Sequence, residues 1–333
     1  GEAALNPRLI TDACQALKHN REEYLLPRST QSLISVFHEL SKSWLDPEYR
    51  FRKMALALGP AATGFSQATL AAGLDAFFSQ LTGGNLQALI AAELGHGERL
   101  DALVASAEDR QIPRAALARG PELIAHICAG VIPNPTLLSI VFGILVRAAQ
   151  IVKCPSGAAL LPRLFAHSLY ELEPKLGACL EIAEWRGGDQ PLEEVLFGEV
   201  DCVTATGTDE TVVAIGRRLR PGVRFLSYGH RVSFGYIAQE ALTNFSAPQI
   251  AAAAAADVAA WNQLGCLSPH AFYVEDGGRI PAERFAELLS VELAKVEETQ
   301  PRGPLQAETA AAIANRRAFY EVRAAHSAET RFW

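Results

Sequence analysis

The stretch from residue 123 to residue 228 constrains the fold more than any other. Short apolar runs alternate there with helical patterns. Residues 123–132 form an apolar run ending in Pro133-Asn134-Pro135, and residues 136–149 carry a helical period. Residues 150–154 read as a strand, 158–177 as a helix and 178–185 as a strand. Gly187-Gly188 and a short helix at 192–197 follow, then strand 200–205, helix 209–219 and strand 224–228. Apolar strands of this kind suit burial on both faces. The alternation predicts an α/β fold built on a doubly wound parallel sheet. Right-handed crossovers would line up the C-terminal ends of the strands along one edge, where ligands bind.

The flanks read differently. Residues 1–58 carry helical spacing through Leu9-Ile10, Leu25-Leu26, Leu33-Ile34 and Phe37, punctuated by Pro7, Pro27 and Pro47. Gly59-Pro60 breaks the run, and residues 64–100 resume it around Thr82-Gly83-Gly84-Asn85. From Pro281 the pattern is again helical. The expected organisation has three parts: 1–120 mainly helical, 121–255 a Rossmann-like cofactor-binding domain, and 256–333 the start of a catalytic domain.

Composition narrows the classes of function. Of the 333 residues 49% are hydrophobic and 20% charged, with a net charge of −7, as in a soluble globular protein. No basic run points to nucleic acid. The longest apolar stretch, 137–149, is too short to span a bilayer and is interrupted by Arg147. The six cysteines are scattered without a CxxC pair, so neither a metal site nor a disulfide framework is expected. A reducing, cytoplasmic setting fits them.

Chemistry concentrates at Asn262-Gln263-Leu264-Gly265-Cys266-Leu267-Ser268-Pro269-His270. An alanine-rich helical run, 250–261, leads into this segment, and a strand-like run, 271–275, leaves it. Cys266 therefore sits on a short loop between rigid elements, where functional residues gather. A thiolate there can attack a carbonyl or thioester. The plain alternative is a small buried thiol.

Gln263-Leu264-Gly265-Cys266 before Ser268-Pro269 and a strand resembles the nucleophile loop of the aldehyde dehydrogenase superfamily. The longer string through His270 resembles one branch, the LuxC-type fatty acyl-CoA reductases, and the likeness runs over about residues 59–280. The resemblance implies an aldehyde-dehydrogenase-like fold with N-terminal helices and a catalytic α/β domain, incomplete here. It implies an acyl-CoA or acyl-carrier-protein thioester as substrate and Cys266 as nucleophile. Asn134, in Val131-Ile132-Pro133-Asn134-Pro135-Thr136, would offer its amide to the oxyanion, although beside two prolines it also reads as a turn residue.

No GxGxxG fingerprint is present, and the superfamily also lacks one. The resemblance assigns Lys153, in Ile151-Val152-Lys153-Cys154-Pro155-Ser156, to the adenosine ribose. A lysine snorkelling from the sheet edge is the alternative. Ser156 stands where NAD-preferring relatives often carry a glutamate, so a 2′-phosphate is not opposed and NADPH is the expected cofactor. Thr206-Gly207-Thr208 would lie over the pyrophosphate. Those residues also read as an ordinary helix cap at Thr208 or Asp209.

Two departures shape the expected reaction. The general-base glutamate of aldehyde-oxidising relatives has no counterpart in Leu226-Ser227-Tyr228-Gly229-His230-Arg231. His230 is a candidate acid or base there, and His270 a second. Relatives also continue beyond Trp333, with a further cofactor contact and commonly an oligomerisation element, so either this is an excerpt or the rest of the catalytic domain is lost, and a homo-oligomer is allowed. The reading is reduction of an acyl thioester to an aldehyde. The alternatives are an aldehyde dehydrogenase working oxidatively and a non-catalytic nucleotide- or acyl-binding remnant.

Overall fold

The computed structural model describes residues 5–111, 114–305 and 307–325. They form two compact units. One comprises residues up to Leu58 together with Leu74–His230, and the other Gly59–Gly73 with the chain from Arg231 onward.

The first unit is built on five parallel strands: β1 (Leu123–Ile127), β2 (Ala149–Cys154), β3 (Leu180–Glu184), β4 (Cys202–Thr206) and β5 (Arg224–Tyr228). Their order is β3-β2-β1-β4-β5, so the winding reverses between β1 and β4. Every residue of β1 and β2 is buried. β5 departs from the expected burial, because an edge strand has a neighbour on one side only. Leu226 and Tyr228 are exposed.

Helix Pro7–Asn20 starts at Asn6, whose side chain accepts the Leu9 N–H at 3.0 Å. Its stripe of Ile10, Cys14 and Leu17 packs against Ala125, Ile127, Ile151 and Val203 of the sheet. The first helix is therefore a layer of the α/β unit, its apolar stripe completed by the strands and by helix Gln190–Glu199. The expected helix 158–177 is corrected. It divides into Leu160–Leu172 and Pro174–Gly177, since Glu173, preceding a proline, leaves helical space at φ −145° and ψ 87°.

The other face of the sheet holds a buried polar row. His126 Nε2 lies 2.8 Å from Gln150 Oε1, and its Nδ1 lies 2.7 Å from Thr204 Oγ1. The Gln150 amide nitrogen donates to the Ile140 carbonyl, which leaves Oε1 as acceptor. His126 therefore carries its proton on Nε2 and accepts from Thr204 on Nδ1. Helix Asn134–Leu145 crosses this row at Gly143, where a Cβ would stand 2.3 Å from the Gln150 amide.

The second unit has two parallel strands, β6 (Ser233–Ile237) and β7 (Pro269–Val274). Helices Ala247–Ala259, Ala282–Thr299 and Ala307–Ala325 complete it. Its core gathers Ile237, Leu242, Ala247, Ala251, Ala254 and Phe285. Among the described residues no helix is long and apolar enough to cross a membrane.

Candidate active site

The C-terminal edge of the five-stranded sheet collects most of the residues singled out from sequence. Asn134 opens helix Asn134–Leu145 after β1, with Pro133 at the cap. Lys153 is the penultimate residue of β2 and is 4% exposed, so it does not snorkel. Its ammonium lies 5.8 Å from the centroid of the Trp185 ring. Burial lowers its pKa, while the Glu193 carboxylate and the Cys128 and Cys154 thiols act to raise it. A cation held in this way at the strand edge is suited to a phosphate or ribose hydroxyl.

Ser156 is exposed on the turn that follows β2. The next N–H, that of Gly157, donates to Glu184 Oε1 at 2.6 Å. Glu184 ends β3, in register with Cys154, and its other oxygen lies 3.6 Å from Arg163. Sequence reasoning missed this carboxylate. The available signal was its place as the last polar residue of a predicted strand next to the one ending at Lys153-Cys154.

Thr206 ends β4 and Gly207 follows it, and the Gly207 N–H donates to the Tyr228 carbonyl at 3.2 Å. Thr208 caps helix Asp209–Gly216, its hydroxyl accepting the Thr211 N–H at 3.3 Å. Asp209 and Glu210 occupy the first turn, where they already complement the helix dipole. His230 is exposed just past β5, and its backbone N–H donates to Asp209 Oδ1 at 2.9 Å. Asn134, Lys153, Ser156, Thr206, Gly207, Thr208 and His230 thus share one sheet edge, and the reversal between β1 and β4 opens the ligand crevice of such sheets there.

Cys266 belongs to the second unit and is exposed. The helix leading to it is Ala247–Ala259, earlier at both ends than the sequence pattern suggested, because Ala260 turns to φ −50° and ψ 124°. Trp261, Asn262 and Gln263 then adopt φ of 52°, 54° and 62°. Each left-handed residue costs roughly 1–2 kcal/mol, so a run of three needs fastening.

Four contacts fasten it. The Ser268 hydroxyl donates to the Ala260 carbonyl at 3.2 Å, and the Gln263 amide donates to the Pro269 carbonyl at 3.1 Å. The Ser233 hydroxyl donates to the Cys266 carbonyl at 2.6 Å. Trp261 meets Phe65 edge-on at 5.1 Å and covers Gly73, where a Cβ would lie 2.1 Å from the ring. The result is an exposed thiol on a rigidly held backbone. His270 is exposed on β7. A cavity of about 440 Å³ adjoins the loop, lined by Val258, Asn262, Gln263, Leu293, Arg302 and Arg317.

The profile of the family described as acyl-CoA reductase (LuxC) matches residues 25–333. No curated protein sequence matches the chain. The fold is similar to that of a putative aldehyde dehydrogenase, PutA, from Anabaena variabilis, at a TM-score of 0.67 and 18% identity over 94% of this chain and 64% of that one. A putative aldehyde dehydrogenase from Burkholderia cenocepacia gives 0.67 and 17%, covering 98% and 64%. Glyceraldehyde-3-phosphate dehydrogenase GapN from Methanocaldococcus jannaschii, complexed with NADP, gives 0.64 and 15%, covering 91% and 64%. The fold is therefore aldehyde-dehydrogenase-like, and the chain spans under two thirds of the length of these solved structures.

Proposed function

The chain belongs to the acyl-CoA reductase (LuxC) family, and from that premise we propose that it reduces an acyl thioester to an aldehyde by way of an acyl group held on Cys266. The observation that carries this reading is the exposed Cys266 thiol on its fastened loop. The Cys266 thiolate attacks the thioester carbonyl carbon, and the tetrahedral intermediate expels the CoA or carrier thiolate. The acyl-enzyme then accepts hydride at the same carbon, and the C–S bond breaks to release the aldehyde and restore the thiolate. Asn134 is the proposed donor to the oxyanion, and His230 the proposed acid or base.

NADPH is the proposed cofactor. The residues at the sheet edge fit a nucleotide: Lys153 supplies a buried cation, Ser156 an exposed hydroxyl, and Thr206, Gly207 and Thr208 a short turn beside the crevice. When bound, NADPH supplies the hydride. Glu184 is the group that opposes a 2′-phosphate, and its pairing with the Gly157 N–H and Arg163 moderates that opposition.

An acyl-CoA or acyl-carrier thioester suits the cavity beside the loop, where Val258 and Leu293 offer apolar walls and Arg302 and Arg317 cations for phosphates. A reducing, cytoplasmic setting and homo-oligomeric assembly belong to the same proposal. The test is a single-turnover mixing of enzyme, acyl-CoA and NADPH. One aldehyde should form per NADPH consumed, and Cys266→Ala should form none. NADPH oxidation without aldehyde, or aldehyde from the variant, would overturn the reading.

A further inference from the structure

Two cysteines that the proposed reaction does not use stand at the ends of β1 and β2. The strands pair in register from Leu123 with Ala149 to Ile127 with Lys153. The Cys128 N–H donates to the Lys153 carbonyl at 3.0 Å, which closes the Ile127–Lys153 pair and leaves Cys128 and Cys154 as the next residue on each strand. Lateral neighbours in a sheet lie about 4.8 Å apart. That falls within the roughly 4.4–6.8 Å between Cα atoms that a disulfide spans. The two thiols interact closely enough that each shifts the pKa of the other.

The pair is asymmetric. Cys128 is half-buried, whereas Cys154 is 1% exposed. The hydrogen bond from Cys154 lowers the pKa of Cys128 against the effect of burial, helped by Thr136 and the Lys153 ammonium. The same contact and burial raise that of Cys154. Cys14 and Cys179 differ from Cys128, both being buried and pushed up to about 12 by desolvation. An acidified thiol backed by one whose pKa is raised is the arrangement of an attacking and a resolving cysteine.

We propose that Cys128 and Cys154 are a hydroperoxide-sensitive thiol pair that closes to a disulfide across the ends of β1 and β2. The Cys128 thiolate attacks a peroxide oxygen, the O–O bond breaks, and one water leaves as Cys128 becomes a sulfenic acid. The Cys154 sulfur then attacks the Cys128 sulfur, the S–O bond breaks, and a second water leaves as the S–S bond forms. The two thiols give up two electrons to the peroxide, and their two protons end in the two waters. Cys128 roots the segment leading to Asn134, and Cys154 joins Lys153 to the Ser156 turn, so the cross-link ties together the roots of both segments. The site stands whether or not the chain reduces thioesters.

The test uses the full chain carrying Cys266→Ser, which removes the exposed thiol as a competing target. One equivalent of hydrogen peroxide is added, and peptides are mapped without reduction. The Cys128–Cys154 peptide pair should form at least ten-fold faster than any modification of Cys14, Cys179 or Cys202, and dithiothreitol should reverse it. Adding Cys154→Ser should stop the reaction at a Cys128 sulfenic acid that dimedone captures. Adding Cys128→Ser should leave Cys154 unmodified. The proposal is overturned if Cys128 reacts no faster than the buried cysteines, or if its sulfenic acid persists with Cys154 present.

Discussion

The Ser233 hydroxyl donates a 2.6 Å hydrogen bond to the backbone carbonyl of Cys266. It ties the first residue of β6 to the loop carrying the thiol, 33 residues further along the chain. A hydroxyl that grips the backbone fixes where the sulfur points without touching the sulfur.

Ser233→Ala should therefore slow acylation of Cys266 several-fold while costing only about 1 kcal/mol of stability, the worth of one hydrogen bond. Ser233→Thr, which keeps the hydroxyl, should restore most of the rate. Stopped-flow release of the CoA thiol reads both. An unchanged rate in the alanine variant would show that the loop holds itself without Ser233.

The Trp261 ring over Gly73 gives a second handle on the same loop. A methyl group at Gly73 would lie 2.1 Å from the ring, so Gly73→Ala must displace the indole. Overpacking of this kind costs about 1–3 kcal/mol. Gly73→Ala should lower both the melting temperature and the acylation rate, and adding Trp261→Phe should recover part of each. Failure of the double variant to recover either would argue that the contact does not position the loop.

His126 makes stability depend on pH. Burial pushes its pKa down to about 4, and the hydrogen bond to Gln150 offsets this only in part. In the unfolded chain a histidine titrates near 6.5. Between those values the unfolded state binds the extra proton, so stability falls as pH falls from about 6.5 to 4, by roughly 3 kcal/mol in all. Urea unfolding of the first unit from pH 7 to 4.5 should show this slope, and His126→Gln should flatten it. An identical slope in the variant would place the acid sensitivity elsewhere.

Cofactor choice should respond to the turn after β2. Ser156→Glu adds a carboxylate where Glu184 already accepts the Gly157 N–H, and should reduce kcat/KM for NADPH by about ten-fold or more, equivalent to ~1.4 kcal/mol. Glu184→Gln should raise kcat/KM for NADPH over NADH. Equal kcat/KM for the two cofactors in the parent chain would contradict the assignment of Lys153 and Ser156.

Much of the sheet was legible because its strands are short apolar runs bounded by Pro, Gly and Asp. The helix break at Glu173 had its signal in Pro174, yet the apolar period running through it concealed the change. β6 was not legible: Ser233-Phe234-Gly235-Tyr236-Ile237 is only partly buried and holds a central glycine, packed so closely on Phe272 that a Cβ would lie 2.4 Å from the ring. The Cys266 loop could be placed from its flanking elements. Its left-handed run could not, since Trp261 and Gln263 are not residues that favour that conformation. Glu184 entered the site through the register of β3 on β2, a relation between segments about 30 residues apart that no local pattern records.

Whether Cys266 carries the acyl group can be read from the mass of the intact protein. The protein is mixed with an acyl-CoA in the absence of NADPH, and its intact mass is followed over time. The protein should gain one acyl group, mapped to the peptide holding Cys266 and absent in Cys266→Ala. The label should outlast a reductive turnover, because the segment Leu226-Ser227-Tyr228-Gly229-His230 has no carboxylate to activate water, a role worth roughly 10²–10⁴-fold. Label at Cys128, Cys154 or Cys202 instead, or free acid released as fast as the enzyme turns over with NADPH, would contradict it.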